Sequence, residues 1–299
     1  MKALIIGLGA IGSRHKSVLD KIGCQTFTVS SHSKESSTNF YSLPEAISKI
    51  EPSYVVVANN TADHLKTLID LERIEYKGKV LVEKPLDFKS HRGDFKFEKI
   101  GVGFNLRFLS SIIELKKIIT KNQIKIYTAE LYYGNLYSNW RDENRTSDQY
   151  SSLKSKGGGI LRDFSHEIDL LIWLFGKPKI NFSMGGKVGN NTIDSDDCWH
   201  ISASTSAAPI VSLHLNSLDS TPKREIRLLT SLGTICLDIT KNQMNSCGKE
   251  ISYEGSVEST YELMHKDLIS HQGKLIATID ESLEVDRVIY AIESIRYGA

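Results

Sequence analysis

The 299 residues include only four cysteines, and Cys24, Cys198, Cys236 and Cys247 stand far apart, with no Cys-x-x-Cys pair. Thiolate metal sites and redox pairs of that spacing are therefore excluded, and the four read as reduced, ordinary thiols. An excess of one charge is also lacking. The 37 Lys and Arg nearly cancel the 36 Asp and Glu, so no basic field draws in nucleic acid or an anionic membrane. No stretch approaches the roughly 18 apolar residues that a spanning helix needs. Residues 3–12, ALIIGLGAIG, could pass for a signal-peptide core, but a strand and a glycine turn account for them, with basic Arg14 and Lys16 following. Repeats, low-complexity tracts and long linkers are absent, which predicts closely packed domains. His200, His214 and His271 have no ligand-like companions, and Asp194, Asp196 and Asp197, among Asn190, Asn191 and Ser195, read as a polar turn. No metal is expected. Small-molecule chemistry in the cytoplasm is the remaining class.

With 40% hydrophobic and 24% charged residues, the chain is long and apolar enough to bury two cores. Its first hundred residues alternate short β-branched runs with helical periodicity, the pattern of a parallel sheet flanked by helices. Strands are expected at Lys2–Ile6, Cys24–Val29, Tyr54–Ala58, Lys79–Val82 and Lys99–Phe104, and helices at Leu43–Ile50 and His64–Arg73. From Asn105 the pattern changes. A helix bearing Leu109, Ile112, Ile113 and Ile119 leads to a strand near residues 124–133, a polar aromatic loop over 134–156, and a helix over 161–175. Residues 180–254 alternate with period two between Gly-, Asn- and Ser-rich turns, which predicts an antiparallel sheet. Helical patterns return at 261–271 and 282–297. The expected architecture is α/β: a doubly wound parallel sheet over 1–104, then an α+β domain with an open, mostly antiparallel sheet over 105–299, the latter binding substrate and supporting self-association.

Gly7-Leu8-Gly9-Ala10-Ile11-Gly12 is a G-x-G-x-x-G that follows a strand and opens a helix. That context, the start of a Rossmann unit, makes the motif specific for a dinucleotide: Gly7 permits the tight turn, Gly9 lets the backbone approach a pyrophosphate, and Gly12 allows helix and strand to pack closely. Amides at the helix start then hold the anion. An NAD site places Asp or Glu about 20 residues further on, to accept from the ribose hydroxyls. Here the second strand ends in Ser30-Ser31-His32-Ser33-Lys34. Hydroxyls and a cation suit a 2′-phosphate, so NADP is favoured and NAD stays open.

Glu83-Lys84-Pro85 falls where a parallel strand gives way to loop, the edge at which such sheets bind ligands. An ammonium there can stabilise alkoxide charge as hydride moves. The glycine motif, Asn59-Asn60-Thr61 with His64, Glu83-Lys84-Pro85, and the segment Gly157-Gly158-Gly159-Ile160-Leu161-Arg162-Asp163-Phe164-Ser165-His166-Glu167 together resemble the glucose-fructose oxidoreductase and inositol dehydrogenase family (Gfo/Idh/MocA), in order and over nearly the whole chain. The resemblance implies a Rossmann domain, a C-terminal domain on an open antiparallel sheet, and oxidation or reduction of a sugar or cyclitol carbon. It matches Lys84 to the family's catalytic lysine and His166 to its histidine. Imidazole suits proton exchange because its ordinary pKa of about 6.5 lies near working pH. Asp163 would orient that ring. Asp163 and His166 are one residue closer than the family's usual pair, so with the histidine aligned the aspartate position falls on Arg162. On one helix both spacings share a face. The variant Arg-Asp-Phe-Ser-His-Glu, with Trp140-Arg141 and Tyr150-Ser151 before it, is similar to a subgroup associated with bacterial surface-polysaccharide sugars.

Tyr132, Tyr133, Tyr137, Trp140, Arg141, Arg145 and Tyr150 suit stacking on sugar rings and holding an anion. Trp140, Arg141, Tyr150 and Arg162 are the expected substrate contacts, with Arg141 or Arg162 for a carboxylate or phosphate, joined by Asn105 and Arg107 beyond the domain junction. The expected protein is an NADP- or NAD-dependent dehydrogenase or ketoreductase for a sugar, sugar acid or nucleotide sugar, working as a homodimer or homotetramer. The alternative is a non-catalytic cofactor sensor on the same fold; Lys84 and His166 argue against it.

Overall fold

A computed structural model describes residues 1–31, 36–87, 94–121, 124–139, 153, 158–190, 193–270 and 273–295. The chain divides into two compact units that are not simple halves. Unit 1 comprises Met1–Phe108 and Glu258–Leu283, and unit 2 comprises Leu109–Val257 and Glu284–Ala299. A sequential division near residue 104 is thus replaced by one in which the chain returns to its first unit.

In unit 1, β1 (Lys2–Ile6), α1 (Ala10–Lys21), β2 (Gln25–Val29), β3 (Asn39–Phe40), α2 (Leu43–Ile50), β4 (Tyr54–Val57), α3 (His64–Arg73), β5 (Lys79–Val82) and β6 (Lys99–Val102) follow in order. The sheet order is β3-β2-β1-β4-β5-β6, with every pair parallel. The runs Tyr54-Val55-Val56-Val57 and Lys79-Val80-Leu81-Val82 are buried throughout, as strands covered by helices on both faces must be. Ser42 starts α2, its hydroxyl accepting from the Glu45 amide with Pro44 in the first turn. The strand order reverses between β1 and β4, and ligands of open α/β sheets bind beyond the carboxyl ends of the strands at such a switch.

Unit 2 holds α4 (Ser110–Lys121), β7 (Ile126–Gly134), α5 (Ile160–Asp163), α6 (Ser165–Phe175), β8 (Lys179–Gly186), β9 (Cys198–Ser204), β10 (Ile210–Asn216), β11 (Lys223–Thr230), β12 (Gly233–Asp238), β13 (Gln243–Ser246) and β14 (Lys249–Ser252). Its eight strands run β14-β13-β12-β11-β7-β10-β9-β8. All pairs are antiparallel except β7 with β10. Alternation does the sorting: Val211, Leu213 and Leu215 of β10, Ile226 and Leu228 of β11, and Ile235 and Leu237 of β12 are buried, whereas Met184, His200, His214 and Tyr132 form a cross-strand row on the other face.

The last two helices are α7 (Val257–Ile269) and α8 (Ile279–Ser294). Tyr261, Met264 and Leu268 of α7 enter a core cluster with Ala3 and Ile5 of β1, Leu19 of α1, Val56 of β4 and Leu81 of β5. Met264 and Leu268 are fully buried, each stabilising unit 1 by about 2 kcal/mol. Ala277 adds a bridge to Val102, whose amide donates to its carbonyl at 2.9 Å. These contacts are why residues 258–283 belong with the N-terminal sheet.

Candidate active site

Because the strands of unit 1 are parallel, the segments following β1, β2, β4 and β5 leave from one edge, and backbone bonds lock them side by side. The Gly7 amide donates to the Val29 carbonyl, Ala58 to Ile6, and Glu83 to Val57, at 2.9, 2.8 and 2.9 Å. The glycine turn, Ser30-Ser31, Asn59-Asn60-Thr61 and Glu83-Lys84 are thereby brought together. Gly7 has φ +90°, and a Cβ there would meet the Asn59 backbone at 2.6 Å; one on Gly12 would meet the Gly7 carbonyl oxygen at 1.9 Å. Both glycines are demanded by the turn's own packing. Gly9 differs, since a Cβ there would meet nothing within 4 Å. It is exposed, as is Ala10, while Ile11 is half-buried. Gly9 caps the twelve-residue α1 with no side-chain bond, and no acid lies in the first turn. The helix therefore presents amides without intrahelical partners to open space, which fits the pyrophosphate of a dinucleotide.

Around this turn the expected residues serve different ends. Ser31 and Asn60 are exposed, Thr61 is buried, and Ser30 is buried, its amide donating to the Phe40 carbonyl at 3.1 Å. The Asn59 side-chain amide donates to the Thr67 hydroxyl at 2.8 Å. His64 is buried between the carbonyls of Pro85 at 3.1 Å and Asn59 at 3.2 Å, tying the loop after β4 to the Glu-Lys-Pro segment. Burial pushes its pKa down, so the neutral ring donates to one carbonyl at a time. His32 lies outside the described residues.

Lys84 is half-buried, and a cis peptide joins it to Pro85. Glu83, beside it, is 6% exposed. One carboxylate oxygen accepts from the Lys84 amide at 3.2 Å and the other contacts His15 Nε2 at 2.8 Å. Gly103 makes room, since a Cβ there would meet Glu83 Oε1 at 2.6 Å. Burial opposes ionisation of Glu83, yet the hydrogen bond from His15, with the charge and backbone amide of Lys84, outweighs it and holds the carboxyl below its ordinary range. His15, in turn, contacts His265, which contacts Tyr54. Sequence reasoning passed over all three, because nothing local marks a histidine one turn into α1 or another in α7 as partners.

Asn105 and Arg107, expected to contact substrate, instead turn inward. Each is 2% exposed. The Asn105 amide donates to the Thr260 hydroxyl at 2.7 Å, and Arg107 Nη1 pairs with Glu281 Oε2 at 3.0 Å. A buried guanidinium needs such a counter-charge. Both residues fasten the returning segment to unit 1.

In unit 2, a single helix over 161–175 was expected to carry Asp163 and His166. Two helices stand there instead, broken at Phe164, whose φ −100° and ψ 26° leave the helical region. Its ring lies 4.0 Å from that of Tyr133. Asp163 thus ends α5, and half-buried His166 opens α6. Glu167 pins this first turn to β11 through Arg224, whose guanidinium lies 4.2 Å over the Tyr133 ring. Two acids of the run read as a polar turn are anchors, although Asp194 is exposed: the Asp196 carboxylate accepts from the Leu161 amide at 3.3 Å and Trp199 Nε1 at 2.8 Å. Gly159, at φ +129°, is needed because a Cβ there would meet Asp196 Oδ1 at 1.9 Å. Asp197 is fully buried and holds Lys187 Nζ at 2.9 Å and the Val188 amide at 2.7 Å. Arg162 forks onto Glu293, with contacts of 2.7 and 3.3 Å, so its charge is already matched inside unit 2. Trp140, Arg141 and Tyr150 lie outside the described residues. Among the described residues no group of three or more His, Cys, Asp or Glu could hold a metal, and no helix is long and apolar enough to cross a membrane.

Comparison with known proteins places this architecture. No curated protein matches the chain by sequence. Solved structures match its fold along almost its full length. GenD2 from gentamicin A biosynthesis, in complex with NAD, aligns with TM-score 0.77 at 15% identity, covering 98% of this chain and 93% of that one. The WlbA dehydrogenase from Bordetella pertussis, in complex with NADH and UDP-GlcNAcA, aligns with TM-score 0.79 at 16% identity over 98% and 95%. A myo-inositol dehydrogenase from Corynebacterium glutamicum aligns with TM-score 0.76 at 14% identity over 99% and 96%. At such identities the likeness is one of fold. The family model described as GFO/IDH/MocA C-terminal domain matches residues 113–236. Within its second unit, the chain is thus similar to the C-terminal domain of the GFO/IDH/MocA family.

Proposed function

We propose that this protein is a nicotinamide-dependent oxidoreductase that moves a hydride to or from a CH–OH carbon of a sugar, sugar acid or nucleotide sugar. The observation that carries the reading is the open space at Gly9 before the uncapped start of α1, on the same sheet edge as Lys84. The bound nicotinamide would supply or accept the hydride. Gly9, Ala10 and Ile11 would hold its pyrophosphate, with Asn59, Asn60 and Thr61 lining the next strand end. Lys84 donates to the reacting oxygen and stabilises negative charge there, and His166 takes the hydroxyl proton in oxidation and returns it in reduction. Asp163, one helix earlier, is assigned to orientation of His166. Sugar contact falls to Trp140, Arg141 and Tyr150. That the structural neighbours include proteins named for inositol and crystallised with a nucleotide sugar supports this substrate class, and a role in making surface-polysaccharide sugars is part of the proposal.

The test follows absorbance of the reduced nicotinamide with a panel of sugars, sugar acids and nucleotide sugars. Turnover on one class is expected; cofactor binding without turnover on any of them would favour the sensor. Ser30 and Ser31 follow β2, where the sequence of an NAD site carries its carboxylate, and this supports NADP. Fluorescence titration should accordingly give tighter binding of NADPH, and NADH binding at least tenfold tighter would reject that preference.

The outward row Met184, His200, His214 and Tyr132 belongs to a broad sheet face, with Met184 55% exposed, and supports pairing with a second copy into a homodimer or homotetramer. Sedimentation as a monomer at micromolar concentration would remove this part of the proposal.

A further inference from the structure

In unit 1, four side chains from β4, α7, α1 and the segment after β5 form one buried line. Tyr54 of β4 touches His265 Nδ1 at 2.8 Å, His265 Nε2 of α7 touches His15 Nδ1 at 2.9 Å, and His15 Nε2 of α1 touches Glu83 Oε1 at 2.8 Å. Tyr54, His265 and His15 are fully buried. Each neutral imidazole has one donor and one acceptor, so the line can run in only one direction at a time. If His15 carried two protons it would donate to His265, which would donate to Tyr54, and the phenol's own hydrogen would lose the acceptor that His265 Nδ1 provides. A buried donor left without an acceptor is costly. The phenol therefore fixes the direction: Tyr54 donates to His265, His265 to His15, and His15 to Glu83. Both rings are then neutral, in keeping with the way burial holds His265 far below its ordinary range.

We propose that Tyr54, His265 and His15 are positioning residues that act as a one-way relay, keeping His15 uncharged so that the fixed carboxylate of Glu83 serves Lys84 as its counter-charge. This rests on the assignment of Lys84 to the reacting oxygen. With His15 neutral, the negative charge behind the lysine is not shared with an imidazolium, and the ammonium keeps its proton for donation. The groups facing the two rings are Tyr54 from β4, Tyr261 from α7 with Arg14 of α1 5.3 Å over its ring, and Glu83 with Lys84 after β5; among the described residues only Glu83 contacts His15 as a charged group within hydrogen-bonding range.

Tyr54→Phe removes one hydroxyl from this line, and nitrogen-15 NMR of the histidine rings reads the outcome without any substrate. In the parent at pH 7, His15 and His265 should both show a protonated Nε2 and a bare Nδ1. In Tyr54→Phe, His15 should take up a second proton, its signature moving to that of imidazolium. Turnover should then fall about tenfold in kcat, with KM and cofactor Kd within twofold, and the fall should lessen at higher pH, where the extra proton leaves. His265→Phe, which also breaks the line, should lower kcat to a similar extent, and His265→Gln, which keeps a donor and an acceptor, should restore much of it. Imidazolium at His15 in the parent would overturn the relay. So would a Tyr54→Phe variant with unchanged ring signatures, or with unchanged kcat and pH profile. The expected ring signatures in a parent that turns over no substrate would sink the oxidoreductase reading and leave the relay's direction standing.

Discussion

Lys84→Met should abolish turnover, lowering kcat by about 100- to 1,000-fold, while cofactor Kd stays within about twofold of the parent. That loss corresponds to roughly 2.7–4 kcal/mol of transition-state stabilisation, the amount a single oriented donor to a developing oxyanion supplies. Methionine keeps the length and apolar stem of the side chain and removes only the ammonium. The backbone that positions it is set independently of the side chain, by the amide bond from Glu83 to Val57 and that from Gly103 to Val82, both 2.9 Å. On the proposed reading cofactor binding depends on the glycine turn, which the substitution leaves alone. Single-turnover measurement of nicotinamide absorbance, with a parallel fluorescence titration, separates the two. Parent-like turnover in Lys84→Met would remove the lysine from the chemistry.

Two glycines of the turn, Gly9 and Gly12, three positions apart, should fail in opposite ways. Gly12→Ala puts a Cβ 1.9 Å from the Gly7 carbonyl oxygen, a contact that only a shift of α1 away from β1 can relieve. Overpacking of this kind costs about 3 kcal/mol, and for a protein of this size should lower Tm by roughly 10 °C. Gly9→Val meets no protein atom within 4 Å. Its stability cost should be near 1 kcal/mol, from the poorer helix cap, but the side chain fills the space assigned to the pyrophosphate, and nicotinamide Kd should rise at least 100-fold. Calorimetry and cofactor titration of both variants make the comparison. A Gly9→Val protein that binds cofactor normally would show that the opening before α1 is not where the dinucleotide lies.

Some elements were legible because their causes are local. Lys2–Ile6, Leu43–Ile50, His64–Arg73 and Lys79–Val82 begin and end where the pattern of apolar residues says they do. The glycine turn was legible for the same reason, since φ +90° at Gly7 is a property of a few consecutive residues. The break at Phe164 was not, because the periodicity of Leu161 to Phe175 is helical on both sides of it, and the Tyr133 ring on which Phe164 packs comes from a distant strand. Nor could charge matching be read from sequence. Arg107 reads from sequence as a substrate contact and Arg162 as a candidate for a carboxylate or phosphate, yet Glu281 and Glu293 stand beside them.

By itself, then, the order of amino acids determined the parallel sheet, the dinucleotide-type turn and the placing of Lys84 at a strand's carboxyl end, since steric limits and alternation act between near neighbours. Only the tertiary structure decided that residues 258–283 return to the first unit and that His265 meets His15, 250 positions away in the chain. Such pairings follow from burial: a polar group shut away from water must find its partner wherever folding has brought one, and distance along the chain carries no record of that choice.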